Sequence, residues 1–439
     1  MKQRPQFVPR FHPAWMAGSS FLILCAALAN AAELKFDFGA NSEAGFTHVA
    51  SGAAFDDKQG FGFLQGFSAP KPGEPIAPVF AVNVPEGNYN VTIRFGDPKA
   101  ATSTTIKAES RRLMLKDVET APGKYETRTI TVNVRKPAIS TGGVTSLNGR
   151  ELGPPPVPDW DDTLSLEFNG KNPGVASVEI EPVQDATTVF IAGDSTVTDQ
   201  WHEPYTGWGQ ILPSFFQPGI AVSNQAESGL ALFSFEHQKR LQKVLSMMKK
   251  GDYLFIQFGH NDQKDKSPNA GPFTSYKDNL KKFVEAAKQK GGLPVIVTPM
   301  ERRRWDKDGK LQPTLADYAE AGRQVASEEQ VPLIDLNAMS QKFYTALGAD
   351  KSSQAFVFYP ANTYTGQPKE LKDNTHHSVY GAYELARCVV EGIKATVPAL
   401  ASHLVKDAGA FDPSKPDALE SIQWSLTPLR GAVEKPAGS

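Results

Sequence analysis

Cysteine is scarce in this sequence: the 439 residues contain only Cys25 and Cys388. Cys25 lies in an apolar stretch near the N-terminus, so Cys388 alone remains if that stretch is removed. A chain with one cysteine cannot form an internal disulfide, and no cysteine pair has the spacing of a structural zinc site. Closely spaced sets of histidine and carboxylate are also missing, apart from the neighbours His376 and His377. The sequence therefore predicts chemistry with no cofactor and no metal.

Hydrophobic runs long enough to cross a membrane are lacking as well. The apolar run Met16–Leu28 follows the basic residues Lys2, Arg4 and Arg10 and precedes the small residues 29–31. Because this order is typical of a signal peptide, we expect residues 1–31 to be cleaved from a secreted or periplasmic protein. A retained membrane anchor is the alternative, which the shortness of the run disfavours.

An excess of positive charge is also absent. Without the three basic residues of the leader, 43 Lys and Arg stand against 48 Asp and Glu, a formal charge of −5. Nucleic acid and anionic lipid attract basic surfaces. We therefore expect neither nucleic acid nor, after removal of the leader, a membrane among the partners.

The first half of the chain has the pattern of an all-β domain. Short alternating runs recur between turn formers such as Pro85-Glu86-Gly87-Asn88, and no amphipathic helix interrupts them. Many short strands separated by turns are typical of a β-sandwich, which we place at residues 32–184. The predicted strands are Leu34–Phe38, Val79–Val84, Tyr89–Phe95, Thr127–Val134, Leu164–Phe168 and Ser177–Val183.

From residue 185 onward the pattern becomes that of an α/β domain. Buried-strand candidates alternate with helical patterns, which indicates a parallel sheet covered by helices on both faces. We place this domain at residues 185–406 and a loose or draped tail at residues 407–439. The predicted strands are Thr187–Ala192, Tyr253–Phe258, Pro294–Thr298 and Val331–Leu336. The predicted helices are Phe235–Lys249, Ser275–Lys290, Leu315–Glu329 and Val379–Thr396.

Small polar clusters in this second half fall where strands are expected to end. The clusters are Gly193-Asp194-Ser195, Asn224-Gln225-Ala226-Glu227-Ser228-Gly229 and Gly259-His260-Asn261-Asp262. Parallel α/β sheets place their sites at the carboxyl ends of the strands. We therefore expect these clusters to meet at one edge of the sheet.

A serine in such a place can act as a nucleophile if a base removes its proton and an acid orients the base. Asp373 and His376, three residues apart, supply both groups, and the far imidazole nitrogen would then face Ser195. The reaction also needs donors aimed at the oxyanion. The backbone N–H groups of Ser195 and Gly229 and the side-chain amide of Asn261 are the candidates.

Each of these features has a plainer interpretation when it stands alone. Gly-Asp-Ser is a common turn, Asp-x-x-His can cap a helix beside a surface histidine, and Asn261 can cap the segment that follows it. Gly229 can be an ordinary turn glycine. Catalysis is favoured because all of them follow predicted strands, in order, within one α/β domain.

Taken together, the blocks resemble those of the SGNH, or GDSL-like, hydrolases, in particular the rhamnogalacturonan acetylesterase branch. The resemblance spans residues 189–397. The β half resembles the galactose-binding-like module that precedes some such esterases, through Phe36-Asp37-Phe38-Gly39 and residues 84–89. The blocks that carry the first resemblance are Gly193-Asp194-Ser195-Thr196, Gly207-Trp208-Gly209-Gln210, Asn224-x-Ala226-x-x-Gly229, Gly259-His260-Asn261-Asp262 and Asp373-x-x-His376 followed by Gly381-Ala382.

The resemblance implies an SGNH-type three-layer fold and a set of roles. Ser195 would be the nucleophile, His376 the base and Asp373 its partner, with Ser195, Gly229 and Asn261 forming the oxyanion hole. The implied reaction removes O-acetyl groups from a plant cell-wall polysaccharide, above all pectic rhamnogalacturonan, through an acetyl-enzyme intermediate.

Substrate contacts are expected around this centre, since an acetyl group itself needs little room. The segment Arg302-Arg303-Arg304-Trp305 follows a predicted strand, and guanidinium groups can pair with the carboxylates of uronate units. Trp201, close after the nucleophile, could line the mouth of the cleft. The alternatives are a solvated charged loop for the first segment and loop packing for Trp201.

Two other functions fit the same sequence. One is a GDSL-type lipase or thioesterase, or an acetyl xylan esterase, acting on a different acyl ester. The other is a carbohydrate-binding protein whose α/β half is a degenerate scaffold, which the presence of all the blocks disfavours. Release of acetate separates the second from an enzyme, and the preferred acyl length separates a lipase or thioesterase from a deacetylase.

Overall fold

The structure is a computed structural model that describes residues 33–39, 43–152, 159–422, 424–429, 433 and 435–437. The predicted signal peptide, residues 1–31, lies outside the described residues. So do parts of the predicted tail.

The first half is a β-sandwich, as predicted, and its described residues form ten strands in two five-stranded sheets. Alternation builds its core: along Gly87–Phe95 every second residue from Tyr89 onward is buried between the sheets. The strands are β1 (Leu34–Asp37), β2 (Thr47–His48), β3 (Phe61–Phe63), β4 (Val79–Asn83), β5 (Gly87–Phe95), β6 (Thr102–Ala108), β7 (Arg112–Thr120), β8 (Glu126–Val134), β9 (Thr163–Asn172) and β10 (Val175–Pro182). The sheet orders are β2-β1-β10-β5-β8 and β3-β4-β9-β6-β7, antiparallel except between β1 and β2.

All six strands predicted in this half are present, with ends shifted by one or a few residues. The prediction missed β2, β3, β6 and β7. Strand β6, Thr-Ser-Thr-Thr-Ile-Lys-Ala, buries Thr104, Thr105 and Lys107 as well as its apolar residues. A strand covered on both sides with polar residues facing inward lacks the alternation by which strands are recognised.

The second half is an α/β domain with a five-stranded parallel sheet, which confirms the predicted fold class. The sheet order is β12-β11-β13-β14-β15. A separate antiparallel pair, β16 and β17, lies beside it. The strands are β11 (Thr187–Gly193), β12 (Ile220–Asn224), β13 (Tyr253–Gln257), β14 (Leu293–Val297), β15 (Leu333–Ile334), β16 (Phe356–Tyr359) and β17 (Leu371–His377).

Helices cover both faces of the parallel sheet. Along β11, Val189 and Ile191 face one apolar cluster and Phe190 and Ala192 face the other. The helices are α1 (Trp208–Ile211), α2 (Leu232–His237), α3 (Arg240–Met247), α4 (Lys277–Gln289), α5 (Ala316–Glu329), α6 (Leu336–Lys351), α7 (Val379–Thr396) and α8 (Pro398–Ala401). Helices α2 to α5 bury residues in the cluster with Phe190, whereas α1, α6, α7 and α8 bury residues in the cluster with Ile191.

In this half one helix prediction was wrong in detail and one helix was missed. The single helix expected at Phe235–Lys249 is two helices, because Lys239 has a left-handed backbone with φ 61°. Helix α6 was not predicted at all, and it contains a kink at Gly348. Strand β12 was missed too, although the polar cluster that follows it was recognised.

The described part of the predicted tail packs along both halves of the molecule. Arg387 of α7 forms an ion pair with Asp417 at 2.5 Å, and Phe411 is buried. Further on, Lys107 Nζ in the sandwich donates to Thr427 Oγ1 at 2.7 Å, and Leu429 pairs with Ser68 through the backbone. The domain limits at 184/185 and 406/407 stay predictions.

The two halves meet through buried polar contacts. Arg112 Nε at the start of β7 donates to Asp199 Oδ2 at 2.6 Å, and Lys243 Nζ lies 2.5 Å from Glu86 Oε1. Arg112, Asp199 and Lys243 are buried at this interface. Among the helices of the described residues, none has both the length and the apolar character needed to cross a membrane.

Candidate active site

The end of β11 and the end of β17 bring a serine and a histidine together. Ser195 follows Gly193 at the carboxyl end of β11, and His376 is the penultimate residue of β17. His376 Nε2 lies 2.8 Å from Ser195 Oγ, and His376 Nδ1 lies 2.8 Å from Asp373 Oδ2. Ser195, His376 and Asp373 are 1, 2 and 3% exposed, respectively. This arrangement can pass the serine proton to the imidazole and hold the resulting positive charge against a carboxylate.

The carboxylate of this group is kept ionised by its surroundings. Burial alone would raise the pKa of Asp373, but the ring of His376 and two backbone N–H groups outweigh it and hold that pKa well below its usual range. The backbone donors are Thr375 at 2.8 Å and His376 at 3.0 Å, both to Oδ1. Lys435 Nζ lies 3.6 Å from the other oxygen.

The neighbouring histidine has a different place. His377 Nε2 lies 2.7 Å from the hydroxyl of Tyr344 on α6, away from the serine. Burial, helped by the charges of His260 and His376, lowers the pKa of His377 to about 3. His377 is therefore a neutral core residue at neutral pH. The histidine of the candidate triad, Ser195–His376–Asp373, is His376.

The predicted oxyanion donors lie around the serine loop. Gly229 has φ +83°, a left-handed conformation that favours glycine. Asn261 Nδ2 uses one hydrogen on the carbonyl of Leu230 at 3.0 Å, which leaves its second hydrogen. Among the described residues, the backbone N–H groups of Ser195 and Gly229 have no protein acceptor. These donors are available to an oxyanion.

Two further buried residues brace the loop and were not predicted as site residues. Asp194 Oδ1 accepts from the backbone and hydroxyl of Thr196 at 2.9 and 2.7 Å, and Asp194 Oδ2 lies 3.3 Å from His260 Nδ1. Burial lowers the pKa of His260. Both residues are members of recognised sequence blocks, and their position in those blocks was the available signal.

The loop after the nucleophile holds two more residues that contact the serine and the histidine. Gln200 Nε2 donates to the carbonyl of Ser195 at 2.6 Å. The ring of Tyr205 meets that of His376 edge to face, with centroids 5.9 Å apart. Nothing in the sequence marked Gln200, because its role depends on how the loop folds back.

The four residues of the basic segment have separate positions. Arg302 donates to the carbonyl of His260 at 3.1 Å and to Thr375 Oγ1 at 3.3 Å, which places it beside the triad. Arg303 instead faces Ser352 and Ala349, to which it donates at 3.1 and 2.6 Å. Trp305 Nε1 donates to Ser352 Oγ at 3.0 Å and packs against the core, whereas Arg304 is exposed.

Trp201 is partly buried at the edge of the nucleophile loop, the segment between the end of β11 and the start of α1. A residue of the sandwich half, Arg150, stacks over its ring at 5.7 Å and pairs with Glu227, two residues before Gly229. Trp201 thus has a partner that the sequence did not reveal. A cavity of about 860 Å³ opens elsewhere between the halves, lined by Lys116, Tyr359, Tyr364 and Trp424 among others.

Within the described ranges, no group of three or more His, Cys, Asp or Glu side chains is arranged to hold an ion.

Comparison with known proteins places these residues in a wider context. The model of the GDSL-like Lipase/Acylhydrolase family matches residues 191–357. The chain is 41% identical over 231 residues to rhamnogalacturonan acetylesterase RhgT of Bacillus subtilis, a match that covers 52% of this chain and 97% of RhgT. It is 25% identical over 407 residues to the uncharacterized esterase YxiM of the same organism, covering 87% and 97% of the two chains. The crystal structure of YxiM aligns with a TM-score of 0.44 at 24% identity, covering 83% of this chain and 98% of that one.

Proposed function

The chain belongs to the GDSL-like lipase/acylhydrolase family, and we propose that it is a secreted carbohydrate esterase that removes O-acetyl groups from pectic rhamnogalacturonan. The observation that carries the proposal is the hydrogen-bonded series Asp373–His376–Ser195, with both distances at 2.8 Å and unused N–H groups beside the serine. The matching of RhgT over nearly its whole length supports the choice of an acetylated sugar.

The reaction begins when Ser195 Oγ attacks the acetyl carbonyl and passes its proton to His376 Nε2. Negative charge then develops on the carbonyl oxygen. The N–H groups of Ser195 and Gly229 and the free hydrogen of Asn261 Nδ2 stabilise that charge. Asp373 stabilises the positive charge on the imidazole.

Collapse of this intermediate breaks the bond to the sugar oxygen, which takes the proton from His376 and leaves as the alcohol. The acetyl group is now an ester of Ser195 Oγ. Water attacks that ester with His376 again as the base, and acetate leaves while Ser195 recovers its proton.

Recognition of an acidic polymer is part of the proposal, with Arg302 as its leading residue. Arg302 lies beside the triad, where its Nε and Nη2 hold Thr375 and His260, and its positive charge can attract a uronate carboxylate to the remaining N–H hydrogen. Arg304 is exposed nearby in sequence and can extend this contact. Trp201, with Arg150 over its ring, offers an aromatic face to a sugar ring.

Release of acetate from a panel of polymers tests the function. Acetylated rhamnogalacturonan, acetylated homogalacturonan and acetylated xylan are compared, with Ser195→Ala as the inactive control. We expect the rhamnogalacturonan to give the highest kcat/KM and Ser195→Ala to release no acetate above background. A preference for xylan would replace the proposed substrate, and faster hydrolysis of long-chain than of acetyl nitrophenyl esters would indicate a lipase.

Secretion is tested separately. The full chain is expressed in a bacterium that exports through signal peptides, and the N-terminus of the mature protein is sequenced. We expect cleavage after Ala31 and recovery outside the cytoplasm. An intact N-terminus in the membrane fraction would favour the retained anchor instead.

A further inference from the structure

The β6–β7 hairpin of the sandwich points its tip at the loop that carries the nucleophile. Three residues form the tip, Glu109-Ser110-Arg111, between the end of β6 and the start of β7. Glu109 and Arg111 have positive φ values of 53° and 61°. Side chains other than glycine adopt this conformation at a cost, and such strain persists only where the surroundings hold it.

Arg111 is held by three residues of the nucleophile loop. Its Nη1 donates to the carbonyls of Gln200 and Tyr205, each at 2.9 Å. Its Nη2 forms an ion pair with Glu203 at 2.8 Å, and the side chains of Arg111 and Glu203 are 6% and 1% exposed. One guanidinium group from the sandwich therefore binds the loop at three positions.

Those positions belong to two segments of the loop, here called its limbs: the first ends at Gln200 and the second contains Glu203 and Tyr205. The first limb carries the nucleophile, because Gln200 Nε2 donates to the carbonyl of Ser195 at 2.6 Å. The second limb supports the base, because the ring of Tyr205 meets that of His376 and the backbone N–H of Thr206 donates to the carbonyl of His377 at 3.1 Å. Arg111 joins the two limbs.

Further contacts hold the hairpin tip against the nucleophile loop. Gln210 Nε2 donates both to the carbonyl of Ser110 in the tip and to that of Gln200 in the loop, at 2.6 and 2.9 Å. The limbs are also in close contact, because a side chain on Gly207 would overlap the carbonyl of Thr198. Little slack is left between the tip and the loop.

We propose that Arg111 of the sandwich half is a positioning residue for the esterase, fixing the distance between Ser195 and His376 by clamping both limbs of the nucleophile loop. This inference rests on the proposed function. Loss of the guanidinium removes the cation that pairs with the buried Glu203 carboxylate and the donor to the Tyr205 carbonyl, and it leaves the Gln200 carbonyl with Gln210 alone, so the loop must move to find water. A shift of about 1 Å between reacting groups can cost roughly 100-fold in rate.

The experiment uses the full chain and 4-nitrophenyl acetate, a small ester that carries no sugar. Arg111→Ala is compared with Lys243→Ala, which breaks another buried ion pair between the halves but does not touch the nucleophile loop. We expect Arg111→Ala to lower kcat roughly 10- to 100-fold with KM changed less than about threefold. Lys243→Ala is expected to lose thermal stability with kcat within about twofold of the wild type.

Chemical rescue separates positioning from general support. Guanidinium ion at tens of millimolar can enter the space left in Arg111→Ala, and we expect it to restore kcat at least fivefold while leaving Lys243→Ala unchanged. If Arg111→Ala does not fold, Arg111→Lys is used, which keeps the charge for Glu203 but not the planar fork, and its kcat is expected to fall by roughly tenfold.

Two results would overturn the inference: a folded Arg111 variant with the kcat of the wild type, or an equal loss of kcat in Lys243→Ala without rescue in either. A wild type that hydrolyses no ester, with Ser195→Ala indistinguishable from it, removes the proposed function and the role of Arg111 together. An active wild type with an unaffected Arg111 variant removes only the latter.

Discussion

The ring of Tyr205 meets the ring of His376 edge to face at a centroid distance of 5.9 Å and an interplanar angle of 83°. Tyr205 belongs to the loop that begins at the nucleophile, and His376 belongs to β17, so the contact joins two distant parts of the chain. Edge-to-face pairs contribute about 0.5–1.5 kcal/mol beyond the burial of their surface. The tyrosine ring therefore fixes the plane of the imidazole.

Substitution of Tyr205 tests this contact. Tyr205→Ala should lower kcat on an acetyl ester by up to roughly tenfold, because the imidazole loses the ring that fixes its plane. Tyr205→Phe keeps the ring and should retain at least about half of the wild-type kcat. Steady-state kinetics on 4-nitrophenyl acetate measures both, and equal losses in the two variants would show that the hydroxyl, not the ring, is important.

Asn261→Ala should lower kcat by about 10²–10³-fold with little change in KM, since the amide bonds most strongly to the developing oxyanion. The substitution also removes the bond to the carbonyl of Leu230, so thermal unfolding is measured alongside. Asn337→Ala, at a buried asparagine of α6 whose amide donates to the carbonyl of Pro299, serves as the control for loss of a buried amide. Unchanged kcat in a folded Asn261→Ala would remove this residue from the oxyanion hole.

Arg302→Gln should raise KM for acetylated rhamnogalacturonan roughly tenfold, because a charged hydrogen bond to a uronate is lost. The same variant should leave KM for the neutral 4-nitrophenyl acetate within about twofold. Arg303→Gln is the matched control, since the Arg303 donors bind Ser352, Ala349 and Asn374 instead. Equal changes on the two substrates would contradict a role for Arg302 in binding carboxylate.

His377→Gln should make folding less sensitive to acid. The pKa of His377 is about 3 in the folded protein and about 6.5 in an unfolded chain. As the pH falls from 6.5 towards 3, only the unfolded chain takes up the proton, so this histidine lowers the stability of the folded state progressively across that window. Glutamine can still reach the hydroxyl of Tyr344 and does not titrate.

Urea unfolding at pH 7.5 and pH 5 measures the effect. The wild type should lose about 2 kcal/mol more than His377→Gln between these two values, from 1.5 pH units at about 1.4 kcal/mol each. His403→Gln, at an exposed histidine, controls for the loss of a histidine in general. The same pH dependence in wild type and His377→Gln would show that folding does not lower the pKa of His377.

The sequence was sufficient to predict the order of the two halves and the polar segments that converge on the serine. A buried apolar run such as Thr187–Ala192 and the alternation in Tyr89–Phe95 each predict a strand. The blocks around Ser195, Gly229, Asn261 and His376 are short, so each can be recognised from neighbouring residues alone. Their approach in space follows from the parallel sheet, which brings the carboxyl ends of β11, β12 and β13 to one edge.

The remaining features of the fold and the site depend on contacts between distant parts of the chain, which no local sequence pattern predicts. Lys239 adopts a left-handed conformation and divides a continuous amphipathic pattern into α2 and α3. Strand β6 carries inward-facing polar residues because the C-terminal segment covers it, with Lys107 bound to Thr427. Arg150 and Arg111 reach Gln200 in the nucleophile loop from 50 and 89 residues away along the chain, so their partners became visible only in the folded molecule.

The buried ion pairs between the halves limit how the chain can be divided. Asp199 and Glu203 lie in the α/β half, but the guanidinium groups that neutralise them come from the sandwich. An α/β half produced alone would carry two uncompensated carboxylates within ten residues of its nucleophile, on a surface shaped to be covered. The α/β half therefore depends on the sandwich, and fusion or domain-exchange designs should keep the two halves together in one polypeptide.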